Sequence, residues 1–82
     1  MNCNHWVPQS PGVASQIKNF GKNVRRERMA KRITQERLSE MIGLNIRNLQ
    51  KIEAGETNVL MTTVVRIRAA LGCSADKLLP RE

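Results

Sequence analysis

Apolar residues recur along this chain with the period of a helix, in short runs separated by glycines and by polar residues suited to capping. Residues 15 to 31 form the first run. At 100° per residue, Ile17, Phe20, Val24, Arg28 and Lys31 share one stripe, and Ser15 is a candidate N-cap. An arginine on that apolar stripe is unexpected. Thr34 can cap a second helix, Gln35 to Ile42, with Glu36 near its positive end and Leu38, Met41 and Ile42 on its buried face. Gly43 suits the left-handed position that ends a helix. Asn45 then caps a third helix, Ile46 to Ala54, which Gly55 closes. A fourth run, Leu60, Val64, Ile67 and Leu71, repeats at i, i+4, i+7, i+11 and stops at Gly72. Ser74 caps a short fifth helix, ADKLL, before Pro80. No strand pattern appears. The expectation is an all-α domain of five helices over residues 15–82, preceded by an irregular tail at residues 1–14.

The second and third helices are joined by only about three residues. That connection forces a steep crossing, the arrangement of a helix-turn-helix. With Ile46 at 0° on a helical wheel, Leu49 and Ile52 put the core near 270°, about opposite Arg47, Lys51 and Ala54, with Gln50 nearby. Arg, Gln and Lys are side chains that can read base edges in a major groove. A solvated polar face would look the same in isolation, so the tight turn and the charge balance decide the reading.

The chain of 82 residues carries 14 Lys and Arg against 7 Asp and Glu, a net charge of +7. Lys18, Lys22, Arg25, Arg26, Arg28, Lys31 and Arg32, against Glu27 alone, place most of that excess in residues 15–32. Such a field suits a polyanion, with nucleic acid ahead of an acidic membrane surface. The basic segment has no apolar face left over for a bilayer. There is no apolar stretch long enough to span a membrane and no signal peptide, so a cytoplasmic protein is expected. Cys3 and Cys73 lack metal-ligand spacing, and a lone His5 lies near only the first. We expect no metal, no cofactor and no disulfide, and Cys73 reads as a small hydrophobe. No catalytic constellation appears, and an enzyme is not expected.

The stretch FGKNVRRERMAKRITQERLSEMIGLNIRNLQKIEAGETN resembles the phage-repressor or Cro-like helix-turn-helix family, also called the XRE family. The elements carrying the resemblance are Arg28, TQERLSEMIG, LQKIEAG and AALGCSADKLL, in order and spacing over residues 17–79. The resemblance implies a five-helix, lambda-repressor-like DNA-binding domain. It further implies that Ile46, Arg47, Gln50 and Lys51 face the bases of double-stranded DNA. Thr34, Gln35, Thr57 and Asn58 would meet phosphates, with helix 2 lying across the backbone. Arg28 and Glu53 match a pair that forms a buried salt bridge in members of the family, which would account for the arginine on the apolar stripe.

Four positions depart from the family pattern. Ile46 replaces a polar residue and either touches a thymine methyl or packs beside Leu49. Glu27 replaces an apolar residue, Val59 a proline and Arg68 an alanine; the Arg68 stem either snorkels or belongs to a dimer contact.

The family implies a transcriptional regulator that binds a pseudo-palindromic operator as a homodimer, with Leu78 and Leu79 as candidate interface residues. Small members include phage repressors and the controller proteins of restriction–modification systems, and this chain leans to the controller type. The alternative is an antitoxin whose main partner is a protein toxin, for which only residues 1–14 could supply a covering segment.

Overall fold

The computed structural model describes residues 11–79, and Cys3, His5 and Trp6 lie outside them. Five helices follow in order: α1 Pro11–Ala30, α2 Gln35–Ile42, α3 Ile46–Ala54, α4 Met61–Leu71 and α5 Ala75–Leu78. Among the described residues there is no strand.

The first helix starts at Pro11, four residues before the expected Ser15 cap, so part of the expected tail is helical. A proline is at home there. Its missing N–H would be unsatisfied in the first turn anyway, and its fixed φ suits the helix. The far end of α1 closes without a glycine. Arg32 takes the left-handed conformation at φ 58, and Ile33 N–H returns to the Arg28 carbonyl at 3.1 Å.

The core gathers Phe20 and Val24 from α1, Leu38 and Ile42 from α2, and Leu49 and Ile52 from α3. Ile67 and Leu71 come from α4 and Leu78 from α5. Each such side chain contributes about 1.5–3 kcal/mol by leaving water. Val59 and Cys73 are half-buried against this cluster. No buried side-chain nitrogen or oxygen among the described residues lacks a partner.

Three apolar assignments change. Met41 is exposed, and the inward position on α2 belongs instead to Ser39, whose hydroxyl donates to the Glu36 carbonyl at 2.7 Å. That bond lets a small polar residue face the core at little cost. Leu60 precedes α4 and stands in solvent. Leu78, expected at a dimer interface, is fully buried in the core, while Leu79 beside it is exposed. With a single turn, α5 needs an anchor, and Leu78 provides one.

Two α1 side chains complete the docking of α5. Asn23 Nδ2 donates to the Leu78 carbonyl at 2.9 Å and Arg26 Nη2 to the Lys77 carbonyl at 2.8 Å. Carbonyls at the end of a helix have no partner within it, and α1 supplies one.

Candidate nucleic-acid interface

The α2–α3 unit is defined by its caps. Thr34 Oγ1 accepts from the Arg37 N–H at 3.0 Å, and Asn45 Oδ1 from the Arg47 N–H at 2.8 Å. Between them Gly43 adopts φ 67, Gly43 N–H bonds the Glu40 carbonyl at 3.3 Å, and Leu44 N–H bonds the Ser39 carbonyl at 2.9 Å. These paired bonds are the glycine-dependent motif that turns a chain sharply off a helix. Gly55 repeats it after α3: its N–H reaches the Ile52 carbonyl at 3.1 Å and that of Glu56 reaches the Lys51 carbonyl at 2.9 Å.

Helix α3 buries Leu49, Ile52 and Glu53 and exposes Arg47, Asn48, Gln50, Lys51 and Ala54. Arg47, Gln50, Lys51, Ala54 and Glu56 line one shallow concavity, so three of the four base-facing candidates share a surface. Ile46 is half-buried and does not line it. Thr57 is half-buried, with its hydroxyl 3.3 Å from the Asn58 carbonyl it donates to, and Asn58 is exposed. Both line a neighbouring groove with Asn48 and Lys51. Asn48 is exposed and is not among the candidates. It stands only about 40° from Ile52 on the wheel, so periodicity gives no sign of its accessibility.

What holds α3 in place is a polar cluster behind it. Arg28 Nε donates to Glu53 Oε2 at 2.8 Å and Nη2 to Oε1 at 3.1 Å, while Nη1 reaches the Ile33 carbonyl at 2.7 Å. The Arg28 side chain is 11% exposed and that of Glu53 4%. The oddity on the α1 stripe is thus a buried guanidinium with every edge engaged. Gln35, a phosphate candidate, also points here, with Nε2 donating to Glu53 Oε1 at 3.1 Å. One of its two amide hydrogens is therefore committed inside the protein. Glu53 ties α3 to α1 and to the first residue of α2 at once.

Backbone proximity does the rest. A Cβ at Gly21 would collide with the Ile52 carbonyl oxygen and lie 2.8 Å from that of Glu53. Only glycine allows α1 to rest so closely on the last turn of α3. A glycine inside an otherwise regular helical run was the available sign of this contact. Glu27, which replaces an apolar residue, pairs with Arg26 at 3.2 Å. Arg68 is exposed. Among the described residues no group of three or more potential metal ligands gathers, and no helix is long and apolar enough to cross a membrane.

This arrangement coincides with a known sequence family. The family described as helix-turn-helix matches residues 24–78, from the middle of α1 to the end of α5. The chain belongs to this family, of XRE type, whose members are DNA-binding transcription regulators. Among its relatives is the control protein C.SmaI of Serratia marcescens, 36% identical over 63 residues, covering 77% of this chain and 75% of that one. Two solved structures are also similar. The restriction-modification controller protein C.AhdI from Aeromonas hydrophila superposes with a TM-score of 0.76 at 28% identity, over 79% of this chain and 98% of that one. A hypothetical transcription factor, NHTF, from Neisseria gives 0.73 at 26% identity, over 82% and 78% of the two chains.

Proposed function

We propose that this chain is a controller of a restriction–modification system: a sequence-specific regulator that binds a pseudo-palindromic operator as a homodimer, with α3 in the major groove. The observation that carries this reading is the outward face of α3. Arg47, Gln50 and Lys51 stand free on one concavity while Glu53, on the inward face, is locked to Arg28 and Gln35. A base-reading helix needs such immobilisation, because hydrogen bonds to base edges discriminate only when their donors are held in register. Arg47 and Lys51 suit guanine and Gln50 adenine. Thr34, Thr57 and Asn58 are at the surface for phosphates, and Gln35 keeps a second amide hydrogen for one. The relation to C.SmaI and C.AhdI supports the controller assignment.

The dimer needs a surface, and Leu78 cannot provide it. Exposed apolar residues concentrate at the start of α4: Leu60 and Met61 are each 73% exposed and Val65 is 51%. Met61, Val65 and Arg68 follow one another at helical spacing on the same side. We assign the contact with a second copy to this face. The antitoxin reading rests on no observation of this structure or of these relatives.

The test is selection from random duplex DNA at physiological salt, followed by sequencing of the bound pool. Two inverted half-sites about one helical turn apart are expected. Repeating the selection with Arg47→Ala should relax one base position in each half-site. A pool without enrichment, bound only at low salt, overturns the operator-reading function.

A further inference from the structure

The basic residues of α1 do not all serve the fold. Arg28 is consumed by Glu53. Arg26 holds the Lys77 carbonyl, the Asn23 side chain and Glu27. Lys18, Lys22 and Arg25 are exposed, and their side chains make no hydrogen bond or ion pair with any described residue. At 100° per residue these three lie within about 60° of one another, and their edge is about 40° from Gly21. Gly21 is where α1 rests on α3, so Arg25 and Lys18 flank that seam, and Lys22 stands beside them on the side toward α5.

Lys18 joins them to the α3 side of the molecule. Its Cα and Cγ lie 2.8 and 2.7 Å from where a Cβ on Gly55 would stand, so the lysine stem covers the glycine that ends α3. The same lysine lines a groove with Ile17, Gly55, Glu56, Thr57 and Asn58. The candidate phosphate-binding loop and α1 therefore meet at Lys18, and the charges of Lys18, Lys22 and Arg25 have no ion-pair partner among the described residues.

We infer that Lys18, Lys22 and Arg25 form a second DNA-contacting ridge, which grips the phosphate backbone flanking the bases read by α3. This rests on the DNA-binding reading above and adds a separate surface to it. Lysine and arginine on a flexible exposed stem, with no fixed planar partner, suit phosphate oxygens and carry no sequence information. The ridge raises affinity for all duplexes alike and makes binding more sensitive to salt. It leaves the preference for one sequence over another where α3 sets it.

The experiment measures binding to a mixed-sequence duplex of about 30 base pairs, long enough for two half-sites and their flanks, across a salt series. The variants are Lys18→Gln, Lys22→Gln and Arg25→Gln, singly and together, with Lys77→Gln on α5 as a control of equal charge change. Each ridge substitution should lower the slope of log K against log salt by about one for each phosphate that a protomer no longer neutralises. Lys77→Gln should leave the slope near that of the parent. The ratio of affinities for an enriched and a mixed duplex should not move. Melting temperatures should stay put, because glutamine keeps most of each stem and none of the three side chains has a hydrogen-bond or ion-pair partner among the described residues. An unchanged slope in the triple variant overturns the ridge and leaves the α3 reading intact. An equal fall with Lys77→Gln also overturns it, because net charge alone would then explain the effect. A parent chain that binds no duplex defeats the DNA-binding reading itself.

Discussion

Arg28 and Glu53 meet through two parallel hydrogen bonds, 2.8 and 3.1 Å long, at a place where almost no water reaches either side chain. Removing one partner leaves a charge buried and unpaired. Arg28→Ala or Glu53→Ala should cost about 3–5 kcal/mol in urea unfolding. Replacing both by apolar residues of similar volume, as in Arg28→Met with Glu53→Leu, should cost far less. A single Arg28→Ala variant with an unchanged midpoint would contradict the structural role given to the pair.

Gln35 couples stability to DNA affinity. Its amide bonds a carboxylate, and losing such a bond costs about 1.5–3 kcal/mol. Gln35→Ala should therefore lower the unfolding midpoint and weaken DNA binding together. Gln35→Glu should be worse for stability, since it sets a second carboxylate against Glu53. The comparison is made by urea titration and by binding to one duplex at fixed salt.

Gly21→Ala pits two effects against each other. Alanine is favoured over glycine inside a helix by about 1 kcal/mol. The new methyl, however, meets backbone oxygens of Ile52 and Glu53, which cannot swing aside as a side chain would. Overpacking of this kind costs about 1–3 kcal/mol, so the net change should be destabilising. A raised melting temperature would show that α1 and α3 are less tightly apposed.

Asn45→Ala removes the side-chain cap of α3 and should cost about 1 kcal/mol. The affected N–H belongs to Arg47 itself. Base discrimination at the Arg47 position should therefore soften in the same selection experiment, even though the arginine is retained.

Val65→Glu addresses the dimer. Val65 is half in solvent and outside the core, so the substitution should leave the melting temperature nearly unchanged. Sedimentation equilibrium should show a shift from dimer toward monomer, and affinity for a two-half-site duplex should fall. Unaltered assembly would remove α4 from consideration as the interface.

The parts of this fold that are legible in the sequence are those decided within a few residues. Thr34, Gly43, Asn45 and Gly55 bound α2 and α3 through local hydrogen bonds, and the observed limits match the expected ones. What escapes such a reading depends on distant neighbours. A proline at position 11 fits an irregular tail as well as a first helical turn. Periodicity places Met41 inward about as well as Ser39, and only the packed neighbours decide. A one-turn helix has no period, so Leu78 and Leu79 cannot be told apart until α1 is laid beside them. The Gln35 bond to Glu53 spans 18 residues of sequence and is visible only in the folded chain. The candidate surface of α3 is readable because a helix shows both faces in one short stretch. The assignment of Lys18, Lys22 and Arg25 is not, because it requires knowing which other cations are already spoken for.

The seat of Leu78 also says something about how the molecule comes to exist. Phe20 and Val24, made early, lack part of their cluster until a leucine synthesised more than 50 residues later joins it, its carbonyl held by Asn23. A nascent chain that has already produced α2 and α3 therefore still lacks a member of its core. A chain that stops short of Leu78 lacks a fully buried side chain of its core, so the last turn of helix is expected to be what completes folding.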